Sequence, residues 1–330
     1  MKITTFFQRD IPAAAALWNA CVHAGDMVYA PLTQEDFRRT FWEHPQASEE
    51  YILAAKEGET LVGFAAGLLK RRYLQGEDFE NTPAYLTMVL TAPGHRRRGV
   101  ATALLAELEQ RFAAVGKRRA AITYRNPQAL SWEVPGSGGA RHNNAPGVDR
   151  DSAAFAFFTA RGYRTLQVED GMYLPLAGFA LGEGVLQKQA RLAAQGIAVE
   201  LYDPARHHGF EALFDALHGE VWRQTMRDNA ARSVPLPVLV AADGGVIVGF
   251  AGPIDKEPCG RGWFNGIATH PAYERRGIAT VLFHRLMAQF QAIGAGYSTL
   301  FTDEGNPALQ LYRSVGFTAA RSFAVMEKEV

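Results

Sequence analysis

Charge of one sign, cysteine and long apolar runs are all scarce in this sequence of 330 residues. Lysine plus arginine number 34, and so do aspartate plus glutamate, whereas proteins that bind nucleic acid usually carry a basic excess. The longest apolar stretch, 61–69, is far shorter than the roughly 20 residues of a membrane-spanning helix. We therefore expect neither a nucleic-acid partner nor a membrane anchor.

The two cysteines, Cys21 and Cys259, lie in different halves of the chain and form neither a disulfide framework nor a CxxC metal motif. No apolar core of a secretory signal follows Met1. Apolar residues still make up 48% of the chain, which excludes a disordered protein. The sequence predicts a globular, cytoplasmic protein without a metal.

Phosphate-binding motifs of two large enzyme classes are also missing. The chain has no GxxxxGK[ST] loop and no GxGxxG after an early strand. Nucleotide hydrolysis and dinucleotide-dependent hydride transfer therefore have no motif to support them.

What the chain does contain is an internal repeat. Three short stretches recur in the same order, namely 61–67 with 247–252, 97–102 with 275–280, and 161–163 with 315–317. The extra residues of the first half fall in segments of loop composition, 70–82 and 135–148. The repeat predicts two copies of one architecture. The predicted domains are 1–176, with an insertion around 126–150, and 197–330, joined by a linker helix over 177–196.

Both halves show the same pattern of elements. The predicted order begins with a strand (2–6 and 198–202), an amphipathic helix (11–22 and 205–217) and a second helix (33–43, less clear around 222–229). Two strands with a polar turn follow (51–56 with 60–69, and 237–242 with 246–252), then a third strand (84–91 and 262–269) and a long helix (98–115 and 276–293). Another strand (119–124 and 298–302), a short helix and a terminal hairpin complete each half. The predicted fold class is α/β, with helices on both faces of one mixed sheet in each half.

A short Arg- and Gly-containing loop joins the third strand to the long helix in each half. In the second half it contains Arg275-Arg276-Gly277, and in the first Arg96-Arg97-Arg98-Gly99. The N–H groups and dipole of a helix start attract anions, and arginines add positive charge for phosphate oxygens. The pattern predicts a diphosphate site in each half.

The motif Arg-x-x-Gly-x-Ala after a Pro-containing strand end resembles the acetyl-CoA loop of the GNAT acetyltransferase superfamily. Glu274 stands where that family usually has Gln or Arg. The resemblance implies two tandem GNAT-like domains, each with a mostly antiparallel central sheet flanked by helices, and acetyl-CoA as co-substrate. The implied cofactor contacts are Val89, Leu90, Thr91, Arg96, Arg97, Arg98, Gly99, Val100, Ala101 and Thr102 in the first half, and Ile267, Ala268, Thr269, Arg275, Arg276, Gly277, Ile278, Ala279, Thr280 and Asn306 in the second.

The segment that begins at Asn306 predicts a short helix with Asn306 as its N-cap, Pro307 in its first turn and Gly316 after its end. It also resembles the GNAT segment that follows the acetyl-CoA loop. By that resemblance Asn306 contacts the cofactor, and Tyr312 lies near the thioester sulfur, where its phenol can protonate the departing thiolate.

The first half differs at this point. Counting back from Gly162 places Phe158 opposite Tyr312 and Ser152 opposite Asn306. Phenylalanine cannot donate a proton, so the first half keeps a cofactor-like loop without the expected acid. Tyr124, Tyr163 and His142 are possible substitutes, and Glu220, Asp303, Glu304 and His270 are candidates for a general base by chain position alone.

The combined prediction is an N-acetyltransferase that moves an acetyl group from acetyl-CoA to a primary amine in a ternary complex. The second half carries the chemistry and the first is degenerate. The arrangement of two copies resembles that of mycothiol synthase and of several antibiotic-modifying relatives, and the sequence does not choose between them. The predicted acceptor is a small-molecule amine. Two alternatives stay open: acetylation of a protein N-terminus or lysine, and a non-catalytic acyl-CoA sensor.

Overall fold

A computed structural model describes residues 1–330 and divides them into two compact units. The first unit comprises Met1–Gly171, Phe301–Glu304 and Ala320–Val330, and the second Met172–Leu300 and Gly305–Ala319. No helix has the length and apolar character needed to cross a membrane. Both units are mixed α/β, which confirms the predicted fold class.

The elements alternate between the two kinds of structure throughout the chain. The strands are β1 (Lys2–Thr5), β2 (Ile52–Glu57), β3 (Thr60–Leu68), β4 (Ala84–Thr91), β5 (Arg119–Ile122), β6 (Trp132–Glu133), β7 (Arg141–His142), β8 (Val148–Asp149), β9 (Arg164–Pro175), β10 (Ile197–Leu201), β11 (Leu239–Asp243), β12 (Val246–Gly252), β13 (Asp255–Lys256), β14 (Arg261–Trp263), β15 (Gly266–Thr269), β16 (Tyr297–Asp303) and β17 (Thr318–Glu329). The α-helices are α1 (Ile11–His23), α2 (Gln34–Phe37), α3 (Val100–Ala114), α4 (Ala153–Thr159), α5 (Glu183–Ala194), α6 (Phe210–Leu217), α7 (Glu220–Ala230), α8 (Ile278–Ala292) and α9 (Leu309–Val315).

The sheet of the first unit is covered by helices on both faces. Strands β1, β2, β3 and β4 pair antiparallel in that order, and β4 pairs parallel with β5. Strand β2 shows why both faces are apolar: Leu53 and Ala55 belong to the core under α3, and Ile52 and Ala54 to the core under α1 and α2. Because a strand buried on both faces has few polar positions, β2 begins with a continuous run of small and apolar residues.

The second unit repeats this arrangement. Strands β10, β11, β12 and β15 pair antiparallel in that order. Helix α8 packs on one face with Ile278, Val281 and Leu282, and helices α6 and α7 cover the other with Phe214 and Met226. Helix α5 also packs in this unit, through Val185 and Leu192.

The last strand of the chain contributes to the first unit, which the sequence did not indicate. The end of β17 pairs antiparallel with β5, from Met326 opposite Ile122 to Glu329 opposite Arg119. Further back on the same strand, Phe323 lies opposite Asp149 of β8. The sheet of the first unit is thus completed by residues roughly 170–210 positions later in the chain than their strand partners.

The repeated glycine of the LVGF and IVGF motifs has a packing role. A Cβ on Gly63 would lie 2.6 Å from Val100 Cγ1 and 2.9 Å from Leu104 Cδ1 of α3. A Cβ on Gly249 would lie 3.3 Å from Ile278 Cγ2 of α8. Both glycines therefore let the first turn of the long helix lie directly on the sheet.

We expect Gly63→Val to push the start of α3 away from β3, because distances below 3.0 Å leave no room for a side chain. Overpacking of this kind costs about 1–3 kcal/mol of unfolding free energy. Urea unfolding measures it, and Gly249→Val, whose nearest contacts are longer, should cost less. Equal stability of Gly63→Val and the wild type would contradict this role.

A buried carboxyl group makes the stability of the chain depend on pH. Burial, and then the carboxylate of Asp303, raise the pKa of Glu169 to about 7 from an ordinary value of 4.5, and Asp170 adds to the effect. The folded state therefore binds the proton more tightly, so Glu169 destabilises the fold increasingly as the pH rises from about 4.5 to 7.

The variant Glu169→Gln should remove this dependence. Its gain in unfolding free energy over the wild type should be near zero at pH 4.5 and about 1–3 kcal/mol at pH 8. Thermal unfolding of both proteins at the two pH values tests this, and a gain that is the same at both would exclude Glu169 as the group responsible.

Candidate functional site

Two neighbouring parallel strands separate in each unit. Strands β4 and β5 are paired over 84–85 and 120–121, and β14 and β16 over 261–262 and 297–298. Beyond its paired residues β4 continues to Thr91 beside β3. Its remaining backbone groups on the β5 side have no strand partner, and such groups need hydrogen bonds from another source. The opening suits an extended ligand that carries amide groups.

The loops that follow these strands have the same backbone shape in both units. Arg97 and Arg275 each have a φ of 59°, which non-glycine residues rarely adopt. Gly99 and Gly277 follow with φ values of 83° and 89°, and α3 and α8 begin at the next residue. Left-handed residues before a helix turn successive N–H groups towards one point, which makes an anion-binding concavity.

Arginine side chains surround the loop of the first unit. Arg96 donates to Asp26 through Nη1 and Oδ1 at 2.9 Å, which fixes it beside the end of α1. Arg161 donates to the hydroxyl of Thr102 in the first turn of α3. Arg97 and Arg98 are exposed. The loop therefore offers positive charge together with the helix N-terminus.

The loop of the second unit is held by an aromatic ring. The Arg276 guanidinium lies 4.7 Å above the centre of the Tyr273 ring, and the Tyr273 hydroxyl donates to Asp243 at 2.8 Å. Lys188 of α5 approaches Gly277, with its Cδ 3.8 Å from the position of a Cβ there. Glu274, which departs from the family pattern, is exposed.

The first unit contains a cavity of about 670 Å³, here called the apolar cavity, which ends on that unit's own loop, Arg96 to Gly99. Strand β4, the first turn of α3 and helix α4 form its walls, with Thr87 and Phe157 among the lining side chains. All the predicted cofactor contacts of the first half line it except Arg98. Its volume is within the roughly 300–1,000 Å³ of small-molecule sites.

Tyr312, the predicted acid, lies on α9 and is half-buried. Its ring centre is 5.2 Å from that of Phe283 on α8 and 6.5 Å from that of Phe317. Burial raises the pKa of its phenol, which keeps the group protonated at neutral pH, as an acid requires.

The helix at Asn306 begins later than predicted. Helix α9 starts at Leu309, so Asn306 is not its N-cap, although the Asn306 Oδ1 accepts the N–H of Ala308 at 2.9 Å. The hydrogen bond to the Asn306 side chain stabilises a turn ahead of the helix. Pro307 therefore lies in that turn and not in the first turn of the helix. Gly316 follows the helix end with a φ of 107°, as predicted.

The first unit contains an asparagine that matches Asn306, although the alignment of the two halves placed Ser152 opposite Asn306. Asn126 Oδ1 accepts the N–H of Gln128 at 2.9 Å, the same turn that Asn306 makes. The dipeptide Asn126-Pro127 was the available signal. Ser152 does precede α4, but its hydroxyl donates to the Asp149 carbonyl at 2.6 Å. Phe158 is buried and lines the apolar cavity, whereas Tyr124, Tyr163 and His142 do not.

The candidate bases of the second half have structural partners. His270 Nδ1 accepts the N–H of Ala272 at 3.1 Å, so it caps the turn after β15. Glu220 accepts from Arg223 at 3.1 Å, and Glu304 pairs with Arg150 at 3.6 Å. No group of three or more His, Cys, Asp or Glu side chains is arranged to hold a metal ion.

Solved structures of similar fold cover nearly the whole chain. A region described as a GCN5-related glucosamine N-acetyltransferase, in a fungal multi-domain β-N-acetylglucosaminidase, matches 99% of this chain with a TM-score of 0.70 and 16% identity. This chain spans 38% of that protein's length. A GCN5-related N-acetyltransferase from Sphaerobacter thermophilus matches with a TM-score of 0.64 and 18% identity, covering 99% of this chain and 95% of that one.

A tandem GNAT protein from the clavulanic acid biosynthesis pathway matches with a TM-score of 0.58 and 14% identity, covering 99% of this chain and 98% of that one. At these identities the likeness concerns the fold. A sequence comparison with curated proteins found no match. The model of the acetyltransferase (GNAT) family matches residues 17–132 and 195–317, which is most of the chain and includes both loops. The chain belongs to the GNAT family of acetyltransferases, with two copies of the family's domain.

Proposed function

We propose that this protein transfers the acetyl group of acetyl-CoA to a primary amine of a small molecule, with chemistry in the second unit. The observation that carries the proposal is the loop geometry that both units share. The left-handed residues Arg275 and Gly277 turn the N–H groups at the start of α8 towards one point, beside the gap between β14 and β16. The diphosphate of CoA fits such a concavity, and its amide-bearing arm fits the gap.

In the second unit, CoA would be held by the last three residues of β15 (267–269), by the loop from Arg275 to Thr280, and by Asn306. Acetyl-CoA supplies an activated thioester. The amine attacks the thioester carbonyl, the C–N bond forms, and the C–S bond breaks. Tyr312 then gives its phenolic proton to the departing thiolate, and the proton that the nitrogen loses as the amide forms returns through solvent to the Tyr312 phenolate.

The experiment is an assay of free-thiol release by the wild-type protein with acetyl-CoA and two panels of acceptors. One panel holds small amines, including glucosamine, which the description of the fungal neighbour names. The other holds peptides with a free N-terminus or a lysine. Turnover with small amines supports the proposal, turnover with peptides alone favours a protein acceptor, and binding without turnover favours an acyl-CoA sensor.

A further inference from the structure

We propose that the first unit is a second acetyl-transfer site, which accepts small cationic amines through a polar cavity and uses Asp149 to take the proton of the amine. This rests on the proposed function in one respect, the use of acetyl-CoA. The inference goes beyond the proposed function because it assigns chemistry, an acceptor class and a base to the first unit, which has Phe158 in place of Tyr312.

The first observation is a second cavity that adjoins the apolar one. This polar cavity has a volume of about 410 Å³ and shares with the apolar cavity the segment 26–29, Asp149 and Ser152. Ligands bound in the two cavities would therefore contact the same residues from adjoining spaces. An acetyl-transfer site needs this layout, because the donor and the acceptor must meet while both are bound.

The second observation is that the insertion of the first half builds the polar cavity. Residues 133–136, 138 and 139 line it. The insertion is attached to the segment after α1 by backbone contacts, with the Glu133 N–H donating to the Val28 carbonyl at 2.7 Å and Tyr29 bridged to Trp132. Trp132 is fully buried and anchors the insertion in the unit. The second unit has no corresponding segment.

The third observation is the charge of the lining side chains. Carboxylates at Asp26, Glu133, Asp149 and Asp151 line the polar cavity, and Arg321 is the one cation among its lining residues. An amine acceptor arrives as an ammonium ion at neutral pH, since amines of this kind have pKa values near about 10. Arg96 pairs with Asp26 and Arg141 with Glu133. With these two arginines and Arg321 set against the four carboxylates, one net negative charge remains, which favours a cationic acceptor over an acidic one.

Asp149 lies where the two cavities meet. Its side chain is 12% exposed, with Oδ2 3.7 Å from Arg321 Nη1, and its Oδ1 accepts the N–H of Asp151 at 3.0 Å. Burial raises the pKa of its carboxyl, the N–H of Asp151 and the charge of Arg321 oppose that rise, and the Asp151 carboxylate adds a smaller contribution to it. A carboxylate with a raised pKa is a better proton acceptor than an exposed one.

The reaction balances without an acid at the position of Phe158. Asp149 takes one proton from the ammonium group, and the free amine attacks the thioester carbonyl. The tetrahedral intermediate collapses with cleavage of the C–S bond, and CoA leaves as a thiolate. The second amine proton passes from nitrogen to that thiolate, which gives the amide and CoA thiol, and Asp149 releases its proton to water.

The test uses the full chain with Gly277→Glu, so that the loop of the first unit is the remaining diphosphate site. Spermidine and putrescine are the cationic probes and glutamate is the acidic one. We expect kcat/KM for the cationic probes to exceed that for glutamate at least about tenfold. Within this background Asp149→Asn should lower kcat by roughly 10²–10⁴-fold and leave acetyl-CoA affinity within about twofold.

Asp151→Asn is the matched control, because it removes the same charge from the same cavity and Asp151 is far more exposed than Asp149. It should raise KM for spermidine and keep kcat. The pH profile supplies a second readout: kcat should rise with pH as Asp149 loses its proton, and Asp149→Asn should abolish that limb. Arg321, Asp151 and Tyr29 face Asp149, and Asp149→Asn retains all three.

Retention of kcat in Asp149→Asn, or equal use of glutamate and spermidine, would overturn the inference. So would complete loss of turnover in Gly277→Glu while the wild type remains active, and that result would leave the proposed function intact. A wild type that transfers acetyl to no amine would instead remove the proposed function itself.

Discussion

The Tyr312→Phe protein should fold normally, bind acetyl-CoA as the wild type does, and lose its second-unit turnover by roughly 10²–10⁴-fold, the usual effect of removing a positioned acid. The ring packs against Phe283 and Phe317, and phenylalanine keeps those contacts. Loss of one hydroxyl costs about 1 kcal/mol at most in stability. Thiol release is measured in a chain that also carries Gly99→Glu, so that the first unit does not contribute.

Tyr202→Phe is the control for this experiment. It removes a tyrosine hydroxyl from the same unit at an exposed position, and its turnover should equal that of the Gly99→Glu background. If Tyr312→Phe were as active as this control, the proton of the thiolate would have to come from elsewhere. Residual turnover that rises with a more acidic thiol leaving group would strengthen the assignment.

Much of the fold follows from local sequence signals. The periodicity of apolar residues predicted β4 and β12 at their observed bounds and α3 within two residues of both ends. The loop geometry was also accessible, because Gly99 and Gly277 are needed where φ is positive. These features depend on residues close together in the chain, and the repeat supplied an independent second reading of each.

Other features depend on tertiary contacts that no short window contains. The single strand predicted over 262–269 is two, β14 and β15, because β14 pairs with β16 while β15 pairs with β12. The helix predicted from Ala205 begins at Phe210, after a left-handed Gly209. Likewise, no local pattern in the insertion singles out the residues that line the polar cavity, 133–136, 138 and 139.

Asp149 illustrates the same limit for the candidate site. In the sequence it is one of several acidic residues in a loop-like segment, with nothing to distinguish it. Its place beside the apolar cavity arises because β8 pairs with β17, so that Asp149 lies opposite Phe323. A contact between positions so far apart in the chain requires the complete sheet.

Titration of the wild-type chain with acetyl-CoA should reveal two sites, one on each loop, and each of two variants should lose one of them. In Gly277→Glu and Gly99→Glu a carboxylate stands where the diphosphate would lie, so the two negative charges repel. Gly99 and Gly277 have φ values of 83° and 89°, where a side chain adds strain of roughly 1–2 kcal/mol. We expect affinity at the altered loop to fall at least about tenfold.

The chain offers close controls for both variants. Gly116 and Gly294 follow the opposite ends of α3 and α8 and have φ values of 86° and 77°. Gly116→Glu and Gly294→Glu therefore introduce the same side chain and similar strain on the same helices, away from the loops. Isothermal titration calorimetry should give two sites for these controls, one for each loop variant and none for the loop double variant. The opposite outcome is a single site in the wild type that is lost in Gly277→Glu and kept in Gly99→Glu. It would mean that the first loop does not bind CoA. The shared backbone geometry would then be insufficient for binding without further contacts in the gap between the strands.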